Sequence, residues 1–191
     1  VPAADGSVLT LNTATELVVD MDDHARVVDL KRGEAFFAVA ADAARPFVVK
    51  AGAQRVVVVG TQFAVRREGD MFRVSVTEGR VQVLRRGWFG GARASRLLDA
   101  GQVAEVDADG ITVSRQDAET LEQALRWRDG YVVFDGTPLR AAVAQMNRYN
   151  VRQVRVHDPA IADIPVDGSF RTQNLDGFLR LLRHGFGIEA M

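Results

Sequence analysis

"GTQFAVRREGDMFRVSVTEGRVQVL", residues 60–84, contains no His, no Cys and no cluster of acids able to hold a metal, yet its apolar residues are strictly placed. Phe72, Val74 and Val76 fall on one face and Arg73, Ser75 and Thr77 on the other, as in a strand with one buried side. The alternation returns after "TEGR" (77–80) at Val81 and Val83. "REGD" (67–70), "TEGR" and "DADG" (107–110) carry the Gly and Asp residues of tight turns with positive φ, and each is expected to join neighbouring strands locally. Outward from this stretch the same short runs recur from Val8 to about Val113: "VLTLNTATELVV", "RVVDL", "EAFFAV", "PFVVKA", "QRVVVVG", "QVAEV" and "GITVS". They predict a mainly β domain over 1–116, a twisted sandwich or roll of short, mostly antiparallel strands.

The period changes after Ser114. "DAETLEQALRWRDG" (117–130) has acids at its start, Leu121, Leu125 and Trp127 at helical spacing and Gly130 after the last turn, which predicts a connecting helix. "YVVF" (131–134) reads as a strand and "DGTP" as a turn, with Thr137 the N-cap and Pro138 the first residue of a helix running to about Asn150. In that helix Leu139, Val143 and Met146 share a face. "QVRVHD" (153–158) and "IADIPVDGSFRT" (161–172) read as strands. "NLDGFLRLLRHG" (174–185) reads as a helix with Asn174 as N-cap and Gly185 beyond its end, and "FGIEA" (186–190) as a last strand. The expected order over 131–191 is therefore β-α-β-β-α-β, a small α+β unit marginal by itself and expected to dock on the β domain.

Composition limits the function classes. The 191 residues, 47% of them hydrophobic, suffice for one ordinary domain or two small ones. With 24 Lys+Arg against 25 Asp+Glu the net charge is -1, so no global field draws in nucleic acid or an anionic membrane, and no nucleic-acid partner is expected. Apolar runs such as 35–41 and 56–59 fall far short of the roughly 20 residues that cross a bilayer. The opening "VPAADG" has neither Met nor a basic-then-apolar leader, and reads as the start of an excised, soluble fragment with room for a membrane anchor outside it. The absence of cysteine excludes a disulfide framework, a thiolate metal site and a Cys nucleophile.

No reactive constellation emerges. His24, His157 and His184 stand in three different elements without metal spacing. "EVDADG" (105–110) imitates half of a calcium loop, but Gln116 stands where a bidentate Glu is required and the flanks read as strands; a hairpin turn fits better. "DMDD" (20–23) reads as a solvated turn. Ser169 in "DGSF" lacks the glycine and the strand-to-helix context of a nucleophile elbow, and "GWFGG" precedes no helix. Neither cofactor, metal, small-molecule substrate nor enzymatic activity is expected. "RRGWFGGARASR" (85–96) sets Trp88 and Phe89 in a Gly-flanked loop among four arginines, a composition of contact surfaces, although folding of both rings onto the sandwich is an equal alternative.

Set in order, "LN" (11–12), "LKRGEAFFAV" (30–39), "PFVV" (46–49), "VVGTQFAV" (58–65), "VTEGRVQV" (76–83) and "LLDAGQ" (97–102) resemble the FecR family of iron-responsive sigma-factor regulators, in their periplasmic β domain. Trp127, Gly130, Phe134, Pro138, Leu139 and "NRYN" (147–150) continue the likeness. The remainder is similar to the short STN module of secretins and of the signalling domains of TonB-dependent transducers. The resemblance implies the periplasmic portion of a single-pass inner-membrane protein. Such a portion is expected to bind the signalling domain of a TonB-dependent outer-membrane transducer loaded with a ferric siderophore. The signal would reach an extracytoplasmic-function sigma factor through a cytoplasmic segment that is absent from this chain and that, with the single membrane helix, would precede Val1.

The partner surface is expected on the STN-like part, where a small sheet leaves strand edges to extend. Ile164, Val166, Ser169, Phe170 and Arg171 mark the edge, and Arg180 and Leu181 the second helix, whose core stripe is Leu175, Phe178, Leu179 and Leu182. Trp88 and Phe89 join them as candidates. Two rival classes remain: a self-assembling cell-envelope module related to secretins, and a carbohydrate-binding β domain, for which two Trp and two Tyr offer little.

Overall fold

Residues 71–78 form a strand in which Phe72, Val74 and Val76 are buried, as is Ser75 on the other face. The computed structural model, which describes residues 1–86, 92–107 and 109–189, divides into two compact units, Val1–Leu121 and Glu122–Met191. Their boundary lies within the segment expected to connect two domains.

The first unit runs β1 (Val8–Leu11), β2 (Glu16–Met21), β3 (Arg26–Ala38), β4 (Phe47–Ala51), β5 (Gln54–Val58), β6 (Gln62–Glu68), β7 (Met71–Glu78), β8 (Arg80–Arg86), β9 (Ala92–Asp99), β10 (Gln102–Val106) and β11 (Ile111–Arg115). β3 belongs to two ladders. Its first half pairs with β2 and, in parallel, with β4; its second half pairs with β1 and β6. One ladder continues from β4 through β5 and β8 to β9, the other from β6 through β7 and β10 to β11. The described pairings are otherwise antiparallel, and both ladders contribute to one core. Phe37 at its centre stacks on Phe63 at 5.1 Å and meets Phe47 edge-on at 6.0 Å, tying second-half β3 to strands of both ladders.

The runs "RVVDL" and "EAFFAV", read as two strands, are thus one, and Gly33 is the reason. Its φ is +91°, and a Cβ there would lie 2.5 Å from the Thr15 Cα and 2.9 Å from the Ala14 carbonyl oxygen. Only glycine fits this close approach in a left-handed conformation. Thr15 closes the junction: its hydroxyl donates to the Glu34 carbonyl at 2.9 Å and accepts from the Glu34 N–H at 3.0 Å.

Two of the three expected local turns hold. Gly69 joins the paired β6 and β7, and 107–110 joins the paired β10 and β11. "TEGR" is different: β7 pairs with β6 and β10, β8 with β5 and β9, so this turn carries the chain from one ladder to the other. Alternation cannot distinguish a hairpin from such a crossover, since both keep the apolar face inward. Gly79, at φ +79°, passes 3.1 Å (measured from a Cβ placed on it) from the Gly60 carbonyl oxygen, where the β5–β6 connection crosses the other way. Buried Thr61 ties the two crossovers by donating to the Arg80 carbonyl at 3.0 Å.

The most deeply buried charge of this unit is matched. Arg26, 1% exposed, donates to the carbonyls of Arg45 (2.7 Å), Ala40 (2.9 Å) and Asp42 (3.2 Å) and to the Asp5 carboxylate (3.1 Å). Burial pushes the Asp5 carboxyl up, but bonds from the Ser7 N–H, the Ser7 hydroxyl and Arg26 outweigh it and hold the group below its ordinary value. Asn12, also buried, donates to Glu34 at 2.8 Å.

At the boundary Asp117, near the end of the first unit, caps α1 (Ala118–Ala124), which runs into the second unit, by accepting from the Thr120 N–H and hydroxyl. A 3-10 turn, Arg126–Asp129, follows and ends on Gly130 in the left-handed region, so Trp127 is buried from this turn and not from a longer helix. Next come β12 (Tyr131–Pro138), α2 (Leu139–Asn147), β13 (Pro165–Arg171) and α3 (Leu175–Phe186). "DGTP" is a bulge within β12, not a turn. Pro138, not Thr137, is the N-cap, and the first helical N–H groups donate to the carbonyls of Ile164 (2.9 Å) and Ala162 (3.0 Å). Asn174 caps α3 through the Gly177 N–H at 3.0 Å, and the helix passes Gly185 to end on Gly187.

The described residues of this unit therefore give β-α-β-α, with two strands where four are expected. Residues 153–158 form no strand because side chains take their backbone groups: the Asn147 amide both donates to the Val154 carbonyl (2.7 Å) and accepts from its N–H (2.9 Å). Residues 187–189 are held instead by the helix end, where the Gly187 and Ile188 N–H groups donate to Arg183 and Leu182. The core is a ring cluster of Phe134, Phe170 and Phe178, centroids 5.4–5.9 Å apart, with Leu139, Val143, Met146, Val166, Leu175 and Leu182 around it.

Candidate partner-binding surface

β13 pairs with β12 alone among the described residues, so its outer side is an open strand edge. The alternation along the strand sorts the expected contact residues. Val166 is fully buried and Phe170 half-buried in the ring cluster; they hold the edge in place and Val166 offers no surface. Ser169 and Arg171 point to the opposite face and are exposed. Ile164, half-buried before the strand, spends its carbonyl on the start of α2. Ser169 has neither a base nor an acid beside it in the described hydrogen bonds, in keeping with a surface role.

α3 supplies a second feature. An open groove of about 430 Å³ is lined by Asp176, Leu179, Arg180, Arg183 and Glu189. Asp176 is paired with Arg152, and Arg183 with Glu189 at 3.6 Å, so both acids are engaged. Arg180 has no carboxylate partner among the described residues and is the cation this groove presents. Leu179, expected in the core stripe, is half-buried and lines the groove; Leu181 is half-buried against the core. The surface thus combines an open edge, the half-buried Leu179 and an unmatched guanidinium, the ingredients of a rim that meets another protein.

Trp88 and Phe89 lie outside the described residues. Among the described residues no group of three or more His, Asp or Glu could hold a metal ion, and no helix is long and apolar enough to cross a membrane. Asp107 instead accepts the N–H groups of Gly110 and Asp109, which hold its carboxyl below the ordinary value: the "DADG" acids close a hairpin.

What sequence reasoning missed is Tyr131 with Arg126. The guanidinium of Arg126 lies 5.3 Å from the Tyr131 ring centre and that of Arg171 5.4 Å from it. The available signal was the strand register, since Tyr131 stands directly opposite Arg171, but pairing two strands 40 residues apart needs the fold.

Residues 1–82 match the family model described as FecR protein, which bears out the resemblance read from the motifs over that part. Two crystal structures of a candidate anti-sigma factor from Parabacteroides distasonis, at 1.65 and 2.50 Å, are similar along nearly the whole chain. Each is 25% identical, covering 99% of this chain and 87% of the other, with TM-scores of 0.73 and 0.71. No curated protein matches the chain.

Proposed function

We propose that this chain, FecR-like over residues 1–82, is the signal-receiving region of a sigma-factor regulator and is regulatory, not catalytic. The observation that carries this reading is the FecR match, supported by the likeness over 99% of the chain to a candidate anti-sigma factor. In the finer form of the proposal the chain stands in the periplasm, on a regulator anchored in the inner membrane. It binds there the signalling domain of a TonB-dependent transducer and relays siderophore arrival to an extracytoplasmic-function sigma factor. The β unit is the body that carries the receiving surface; the surface itself is the β13 edge with the α3 groove. This division accounts for well-ordered β structure without a reactive group.

The test is titration calorimetry of the chain against the purified signalling domain of the transducer encoded beside it. Saturable one-to-one binding, weakened at least fivefold by Arg180→Glu and by Ser169→Pro on the strand edge, supports the proposal; unchanged affinity in both moves the surface elsewhere. A self-assembling envelope module is the second reading, favoured by edge strand β2, whose Val18 and Val19 are 54% and 47% exposed. Concentration-dependent association of the chain alone on a sizing column, with no binding to the signalling domain, would select it.

A further inference from the structure

The sheet of β12 and β13 has two faces with opposite fates. Val132, Phe134, Val166 and Phe170 turn inward to the ring cluster. On the other face stand Tyr131 and Val133, half-buried, and Ser169 and Arg171, exposed. Arg126 reaches this face from the 3-10 turn, so that two guanidiniums lie over one phenol ring. Neither Arg126 nor Arg171 is joined to a carboxylate among the described residues, and Asp129, the acid of the same turn, pairs with neither. The ring attracts each cation through its quadrupole, but the two cations repel one another, and no acid among the described residues forms an ion pair that relieves that repulsion. A carboxylate at either guanidinium would gain bidentate hydrogen bonds that the guanidinium fork favours. Tyr and Arg are also the side chains that dominate binding energy at protein contacts.

We infer that Arg126, Tyr131 and Arg171 form a docking site for an acidic segment of a protein partner, whose Asp or Glu side chains pair with the two guanidiniums. The inference rests on the reading of this unit as a partner-binding surface and names the chemistry of the partner. Charge complementarity selects the occupant: two unmatched cations on a half-apolar sheet face fit an acidic polypeptide, and a purely apolar segment would leave them unmatched. The stack also holds both arginines in place before binding, which reduces the ordering cost of two long side chains.

The probe is an octapeptide of alternating Glu and Val, titrated into the isotopically labelled chain. Shifts of the Arg126 and Arg171 side-chain Nε–H signals and the Tyr131 ring signals are expected, with affinity falling at least threefold between 50 and 300 mM salt. Arg126→Glu/Arg171→Glu should remove the response, and Arg126→Lys/Arg171→Lys should weaken it several-fold, because ammonium groups keep the charge but lose the fork. Both positions changed are exposed, and an unaltered amide spectrum elsewhere certifies the fold. No shift at the three residues, or equal binding by the charge-reversed chain, overturns the inference. The transducer signalling domain is titrated in parallel. If it binds both chains equally, the acidic-partner site is wrong while the proposed function stands. If the peptide binds at the stack and the domain does not bind at all, the site stands and the transducer reading falls.

Discussion

The two units solve their polar groups in opposite ways. In the β unit the most deeply buried polar side chains find partners within the fold: Arg26 with Asp5 and three carbonyls, Asn12 with Glu34, Thr61 with Arg80. In the second unit the distinctive cations, Arg126, Arg171 and Arg180, stand on the surface without carboxylates among the described residues, around a sheet with an open edge. A region whose polar chemistry is complete is a body; one whose chemistry is incomplete is where a partner can contribute. The contrast can be attacked from either side.

The largest expected effect is on the matched side. Arg26→Ala strips a buried carboxylate of its counter-charge and leaves three carbonyls unsatisfied, and should cost about 3–5 kcal/mol. Hydrogen exchange is the proper measurement: protection in β1–β4 should collapse while that in α3 persists. Simultaneous loss in α3 would show that the units unfold as one block. Gly33→Ala comes next, at about 2–4 kcal/mol, from a left-handed backbone and a contact with Thr15 that only backbone movement can relieve. Denaturant midpoints with an unchanged slope would separate lost stability from a rearranged fold.

In the second unit Asn174→Ala should cost about 1 kcal/mol by orphaning the Gly177 N–H, and should fray the start of α3 without touching the β unit. Exchange rates at 175–178 read this directly. The smallest effect is acid sensitivity. The folded Asp5 carboxyl lies below its ordinary value, so its stabilisation is fully present above the unfolded value and disappears as pH falls through the folded one, below about 4. Asp5→Asn should flatten stability against pH in that window; an unchanged acid limb would assign the loss to other carboxylates such as Asp117.

These outcomes bear on how much of the molecule the sequence disclosed. The β body was legible because alternation survives burial, and the motifs that carry the FecR likeness prove to be joints. Asn12 and Glu34 pair, Gly33 turns β3 between ladders, and Gly60, Thr61 and Gly79 form the crossovers. Phe134 and Leu139 pack the second core. Side-chain capping was not legible: Asn147 captures Val154, and an apparent strand at 153–158 loses its ladder. The candidate site was half legible. Arg171 and Arg180 could be picked as exposed cations beside an edge, but Val166 proved to be core, Leu179 packs on the core and also lines the groove, and the Arg126–Tyr131–Arg171 stack required the register of two distant strands. Motifs here record where the chain must bend or cross, whereas the contact chemistry is spread over residues with no pattern of their own.

β3 has one more consequence. Its thirteen residues are shared by two ladders whose other strands are supplied from Val8 to Arg115, so neither ladder closes before the chain has delivered partners for both halves. The parallel β3–β4 pair and the long return to β8 and β9 add contacts of high sequence separation. Such a body assembles late and all at once during synthesis, and a chain truncated within β7 carries a β3 with half its neighbours, an exposed edge ready to pair with another nascent copy.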